Sequence, residues 1–270
     1  MVIHGGGRPC PVCGQKLVPV RRTSRAGMVF AAPILVAFLV GGFLLFVKLR
    51  PGSASPSQPT AGDIRQDTDR KVSPAKYFSN PKVVSLIEAA LNKDARAFER
   101  ELARGAAINA RGNDGLTPLH LALLNTNPAA FSMILEAGGD PNIAADNGDP
   151  VLSLAAQMPD SAYLAECLKH GARADTPDGR KETPLMIAAT GSLRENVRIL
   201  LEAGADPNAR DARSLTPLMH AFQALRPDTE IARMLIRKGA RPSDTNVAGL
   251  TARDYAETFG DAALLAVFEK

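Results

Sequence analysis

The residues of this chain point to an all-α solenoid of about six helix-turn-helix units, hung from one membrane-spanning helix. Three observations carry that reading. Thr-Pro-Leu recurs at Thr117, Thr183 and Thr216, at steps of 66 and 33 residues, so a copy is due at Pro150. Gly105, Gly138, Gly171 and Gly204 keep the same step of 33, and Gly239 follows after 35. Two markers sharing one period of this size are the signature of stacked repeats. The third observation is an uncharged run of 20 residues, Met28 to Val47, of which thirteen are Leu, Ile, Val or Phe.

The elements follow in chain order. Residues 1–27 form a basic tail that contains Cys10-Pro11-Val12-Cys13. As a helix, residues 28–47 span roughly 30 Å, the thickness of a bilayer's hydrocarbon core. Lys48 and Arg50 close the run as at an anchor's end. The length of the run and of its basic leader favour an anchor over a cleaved leader. Ser53-Ala54-Ser55 nevertheless suits a peptidase, and both fates stay open. Arg8, Lys16, Arg21, Arg22 and Arg25 precede the span with no acidic residue among them. Positive residues stay inside, which puts the N-terminus in the cytoplasm and the repeats in the periplasm or outside the cell. The compact layout suits a single-pass bacterial inner-membrane protein. Residues 48–76, rich in Pro, Ser, Gly and Asp, read as a flexible tether.

Residues 77–270 hold the repeats, at approximately 80–112, 113–145, 146–178, 179–211, 212–246 and 247–270. Thr117 is suited to cap a helix with its hydroxyl, and Pro118 to the first helical position, where no amide donor is needed. Leu119 and Ala122 share one helix face. The recurring Gly ends each second helix in a left-handed conformation. Pro150 and Val151 replace Thr and Pro in the third unit, so its first helix starts less firmly. Lys181 and Ser214 stand where the loop Gly is expected. The longer last interval predicts a bulge near Pro242 to Ala248. The first and last units are atypical, as terminal caps are.

Asn113-Asp114-Gly115-Leu116-Thr117-Pro118-Leu119-His120-Leu121-Ala122 and Leu200-Leu201-Glu202-Ala203-Gly204-Ala205-Asp206-Pro207-Asn208 resemble the ankyrin repeat in length, order and residue type. The likeness covers about residues 80 to 270. It implies a non-catalytic protein-binding solenoid whose loop tips and inner helix face meet partners. His120 then stands as the histidine that ties neighbouring backbone groups. The tips carry Arg111, Asn113, Asp146, Asn147, Arg180, Lys181, Arg210 and Arg213, five of the eight basic. That composition predicts a strip for an acidic patch on a partner protein, with ordinary solvated charge as the alternative.

Charge narrows the partners. Residues 1–50 hold seven of the 32 basic residues and no acidic one, leaving 25 basic against 28 acidic, or −3, beyond them. The basic character belongs to the anchor, where it matches an anionic lipid bilayer. The repeats carry no nucleic-acid footprint. Cys10 and Cys13 have the spacing of one zinc knuckle, but a structural site needs four ligands and only His4 lies near. Shared zinc, a redox pair and a bare tail are all compatible with it. Cys167 lies in register with Ile134, Leu200 and Leu235 and reads as core. His170 sits at a helix end, and His220, one place past the expected histidine, has no assigned role. Ala37-x-x-x-Gly41 permits pairing of the span into a homodimer. No nucleophile elbow, metal-protease motif or phosphate loop occurs. The chain thus reads as a scaffold, accessory factor or inhibitor of an envelope protein. The alternative is a membrane signalling protein whose Cys pair senses metal or redox state.

Overall fold

The computed structural model describes residues 71–269. The basic tail with Cys10 and Cys13, the span 28–47 and the tether up to Arg70 lie outside the described residues. Among the described residues no helix is long and apolar enough to cross a membrane.

Among the described residues twelve α-helices follow one another in pairs: α1 Pro81–Leu91 with α2 Ala95–Ala103, α3 Pro118–Leu124 with α4 Pro128–Glu136, and α5 Val151–Ala156 with α6 Ala162–Lys169. The series continues with α7 Pro184–Thr190 and α8 Arg194–Glu202, α9 Pro217–Ala221 and α10 Thr229–Arg237, and α11 Ala252–Glu257 and α12 Ala262–Leu265. None has the dozen or so residues that an isolated helix needs to persist in water. Each is held by its neighbours. The first helices pack in one row from α1 to α11, and α4, α6, α8 and α10 pack in a second. One continuous core fills the space between the rows. It runs from Leu86 and Phe98 through Leu119, Ile134, Leu152, Cys167, Leu185 and Leu200 to Leu235 and Ala256.

Local chemistry sets the helix ends. Thr117, Thr183, Thr216 and Thr251 each accept the amide three residues on, and proline follows the first three. Pro150 offers no side-chain cap to α5, and α5 has six residues. The second helices stop at Gly105, Gly138, Gly171, Gly204 and Gly239, with φ between 82° and 94°. At α4 the Gly138 amide reaches the Leu135 carbonyl and Gly139 the Ile134 carbonyl, at 3.0 and 2.8 Å. That is the double bond of a left-handed helix stop.

Between pairs the chain makes a finger. Its tip is closed by a backbone bond from Gly112 to Leu116, Ala145 to Asp149, Asp178 to Glu182, Asp211 to Leu215 and Asn246 to Leu250. Asp178, Asp211 and Asn246 brace their fingers further, each accepting two backbone amides. A polar ladder joins the finger bases. Asn109 donates to the Gly138 carbonyl and accepts from the Asp140 amide; Asn142 does the same with Gly171 and Arg173, and Asn208 with Gly239 and Arg241. Asp175 holds the fourth rung. It accepts from the Asp206 amide at 2.9 Å, but a carboxylate has no proton for the Gly204 carbonyl.

Two expectations need correction. The two extra residues of the fifth unit are not near Pro242 to Ala248, since Gly239 to Thr251 is 12 residues, as Gly204 to Thr216 is. They lie between α9 and α10, where Thr216 to Gly239 spans 23 residues against 21 from Thr183 to Gly204. The added turn exposes Leu225 and is tied to the fourth unit by Ser192 on the Arg226 carbonyl and by the Arg194–Asp228 ion pair at 2.7 Å. The second correction concerns the tether, read as running to Lys76. Its last residues are folded: Pro74–Lys76 form a 3-10 turn, Pro74 is buried, and Val72 is bonded to Asn125. Pro74 and the adjoining Tyr77-Phe78 give this stretch the apolar surface to dock.

The ladder predicts two opposite effects on unfolding in urea. Asn142→Ala removes both bonds of one rung and lowers stability by about 1–2 kcal/mol. Asp175→Asn supplies the missing donor to Gly204 and raises stability by about 0.5–1 kcal/mol. A lower stability for Asp175→Asn would refute this account of the fourth rung.

Candidate functional site

All eight residues expected at the finger tips are exposed. Their charges are largely committed to neighbouring groups. Arg111 ion-pairs with Asp146 at 2.8 Å and donates to the Ala144 carbonyl of the next finger at 2.7 Å. Arg210 repeats this three registers later, reaching Asp244 at 2.9 Å and the Thr245 carbonyl at 2.9 Å. Arg180 lies between Asp178 and Glu182, at 3.2 and 3.1 Å, and Arg213 is 3.7 Å from Asp211. Asn113 binds backwards, to the carbonyl of Lys76, and Asn147 stays within its own turn, on Asp149. Among the described residues Lys181 is the tip cation with no ion pair.

Lys181 also holds an unusual backbone. Its φ is 65°, and Ser214 has 58°, in the register where the other fingers have Gly115, Gly148 and Gly249. A side chain in this left-handed region costs about 1 kcal/mol relative to glycine. The fourth finger therefore carries an exposed, unpaired ammonium where local stability favours glycine.

Beneath that finger lies a charged cluster that the motifs did not reveal. Asp178 and Asp211, five residues before Thr183 and Thr216, are buried with His220. His220 Nε2 is 3.3 Å from the Asp211 carboxylate, and Nδ1 is 3.0 Å from the Thr190 hydroxyl. A neutral ring that donates from Nε2 satisfies the carboxylate, while at Nδ1 it shares the Thr190 hydroxyl proton with the Met186 carbonyl, 3.0 Å from that hydroxyl. Burial pushes the His220 pKa below its ordinary value, against the opposing pull of Asp211. Burial likewise raises the Glu182 carboxyl, and Arg180 offsets part of that rise. Glu182, Asp211 and His220 bring ligand atoms within 4.8 Å of one another. The guanidinium groups of Arg180 and Arg213 already supply these carboxylates with the positive charge a cation would bring. The cluster thus fastens the fourth finger to the fifth. The signal for it in the sequence was the Asp at the 33-residue step together with the unassigned His220.

Among the described residues His120, His170 and Cys167 take structural places. His120 Nδ1 accepts the Thr117 amide at 3.2 Å, so it is unprotonated, and Nε2 donates to the Asp149 carbonyl at 3.3 Å. One neutral ring links the second unit to the third. Its full burial lowers the pKa to about 4. His170 sits at the end of α6, 3.6 Å from Glu166. Cys167 is fully buried in the core, and burial pushes its thiol up to about 12, which leaves no thiolate nucleophile at neutral pH.

His120 is uncharged when folded and titrates near its ordinary value when unfolded. Between its folded pKa of about 4 and its unfolded 6.5 the unfolded chain binds more protons, so stability falls as pH falls. Going from pH 7.5 to 5 costs about 2 kcal/mol through His120, and His220 adds in the same direction. Urea unfolding at both pH values checks this. His120→Gln is expected to lose about 2 kcal/mol of the pH dependence, and an unchanged dependence would refute the assignment.

Comparison with known proteins agrees with this geometry. Residues 114–143 match the family model described as ankyrin repeat, and 168–221 the one described as ankyrin repeats in many copies. No curated protein matches the chain. The crystal structure of the ankyrin repeat protein EF0377 aligns at a TM-score of 0.63 and 24% identity, over 70% of this chain and 98% of its own. An ankyrin repeat domain from Acinetobacter baumannii AYE aligns at 0.64 and 28% identity, over 68% of this chain and 95% of its own. Family models and solved structures agree on the fold, and the described body has the architecture of an ankyrin-repeat solenoid.

Proposed function

We propose that this chain is a membrane-tethered, non-catalytic protein-binding module that serves an envelope protein as scaffold, accessory factor or inhibitor. Ankyrin repeats generally act as protein-interaction modules, which supports the binding role. The observation that carries it furthest is the fourth finger. A buried charge network holds that finger rigid, and it presents the unpaired Lys181 at a position that favours glycine. The braced backbone fixes where the Lys181 side chain leaves the finger, and its exposed ammonium is free to meet a partner carboxylate. The partner is accordingly a protein with an acidic patch. In this reading Arg180, Arg210 and Arg213 hold the finger row in shape and set the potential around Lys181.

The tether supports the location. The uncharged run 28–47 and its basic flank argue for a single pass through the plasma membrane, with the repeats on the periplasmic or outer side. Ala37-x-x-x-Gly41 offers a pairing face for a homodimer in the bilayer. Fusing alkaline phosphatase and a fluorescent protein separately to the C-terminus tests the arrangement. Active phosphatase with a dark fluorescent fusion supports it; the opposite pattern reverses the orientation.

The Cys10–Cys13 spacing favours one second reading, a sensor of metal or redox state on the other side of the membrane. Zinc that co-purifies with the full-length chain and is lost in Cys10→Ser/Cys13→Ser would support it.

Crosslinking in intact cells provides the test of binding. Lys181→Glu is expected to reduce the crosslinked partner about tenfold, as for one charge pair turned repulsive. Lys181→Gly is expected to raise stability by about 1 kcal/mol while weakening capture. Capture unaffected by Lys181→Glu would remove this finger from the interface.

A further inference from the structure

The first-helix row has a second apolar side, facing away from the second helices. On it Val83 and Ile87 of α1 and Leu121 of α3 are buried, and the residues covering them come from the chain's own N-terminal stretch: Val72, Tyr77 and Phe78. This strap runs along α3 from end to end. At one end the Asn125 side chain grips the Val72 backbone, accepting its amide at 2.8 Å and donating to its carbonyl at 3.1 Å. At the other, the Asn113 amide donates to the Tyr77 carbonyl at 2.7 Å and its side chain to the Lys76 carbonyl at 3.1 Å.

The second unit departs from the others wherever the strap touches it. Asn125 stands in register with Met158, Gly191, Ala224 and Phe259, none of which has a side chain able to donate and accept together. Asn113 aligns with Asp146, Gly179, Ala212 and Val247. Gly112 holds the register of the bracing Asp178 and Asp211, and a Cβ there would lie 2.5 Å from the Tyr77 carbonyl and 3.0 Å from the Phe78 ring. Its φ is −91°, so the backbone does not require glycine. The requirement is space for the strap.

We propose that the first-helix face of units one and two is a binding site for a short peptide folded around a single 3-10 turn, filled by the chain's own Val72–Phe78. Asn125 and Asn113 read the peptide backbone and Gly112 admits it. The apolar face selects a β-branched residue at the Val72 position, proline two residues on and aromatics at the Tyr77 and Phe78 positions. With this end filled, the face open to a partner begins at the third unit, and the tether joins the body beside Asn125. A protein ligand that carries the same segment would compete with the strap. The inference rests on contacts within the described body and stands whether or not the Lys181 finger binds a partner.

Two arms test it on the full-length chain in detergent. In amide hydrogen exchange, Asn125→Ala and Gly112→Ala are expected to speed exchange over residues 72–78 by about tenfold, for the bonds lost or displaced. Exchange in α7 and α8 is expected to stay unchanged. In fluorescence anisotropy, a labelled Lys71–Asn80 peptide is expected to bind Tyr77→Ser/Phe78→Ser, whose own strap is weakened, at least about tenfold more tightly than wild type. Adding Asn125→Ala is expected to abolish that binding. Strap exchange unaffected by both single variants would overturn the proposal, as would failure of a folded Tyr77→Ser/Phe78→Ser chain to capture the peptide. If that double variant does not fold, the exchange arm decides alone.

Discussion

No helix pair in this body can cover its own apolar surface. Each pair contributes residues such as Leu119, Ala122 and Ile134, or Leu185, Leu200 and Leu201, to a core shared with the pairs on either side. With helices of four to eleven residues, intrinsic helix stability is small and burial against the neighbour supplies the rest. Stability is therefore a chain of nearest-neighbour terms, and the end units each lack one of them. The short α12 and the strap over α1 are two ways of closing those ends.

Burial is indifferent to small shifts in the stacking, and polar groups remove that freedom. The Asn ladder fixes the rise from one finger base to the next, because an amide that must both donate to and accept from the backbone of the next base tolerates little displacement. Arg111 and Arg210 repeat this function at the finger tips, each reaching one unit forward to a carbonyl and a carboxylate. Two histidines add further ties between units. His120 bridges the second and third units, and the His220–Asp211–Glu182 cluster bridges the fourth and fifth.

The same constraint explains how much of the surface is left for function. Charges that look free in one dimension are consumed by the stacking, so most tip arginines face carboxylates of their own or the next finger. Among the described residues Lys181 is the tip cation that no carboxylate reaches. The first-helix face is divided in a similar way, its N-terminal end being taken up by residues 72–78.

Period, helix pairing and end signals follow from the amino acids alone, since Thr-Pro starts, Gly stops and spaced Leu and Ala act over one turn or less. The core position of Cys167 and the left-handed backbone at Lys181 and Ser214 were legible by register for the same reason. The extra turn of the fifth unit is contained in the count from Thr216 to Gly239, whereas the interval between glycines shows its length without its place. Three things required the tertiary structure. The pairings of Arg111 and Arg210 with the next finger, the cluster around His220 and the docking of Val72 on Asn125 join residues 9 to 53 positions apart. Such contacts depend on which neighbours the stacking brings within hydrogen-bond range. One-dimensional spacing specifies the repeat; only the packed array decides which polar groups remain free to meet another molecule.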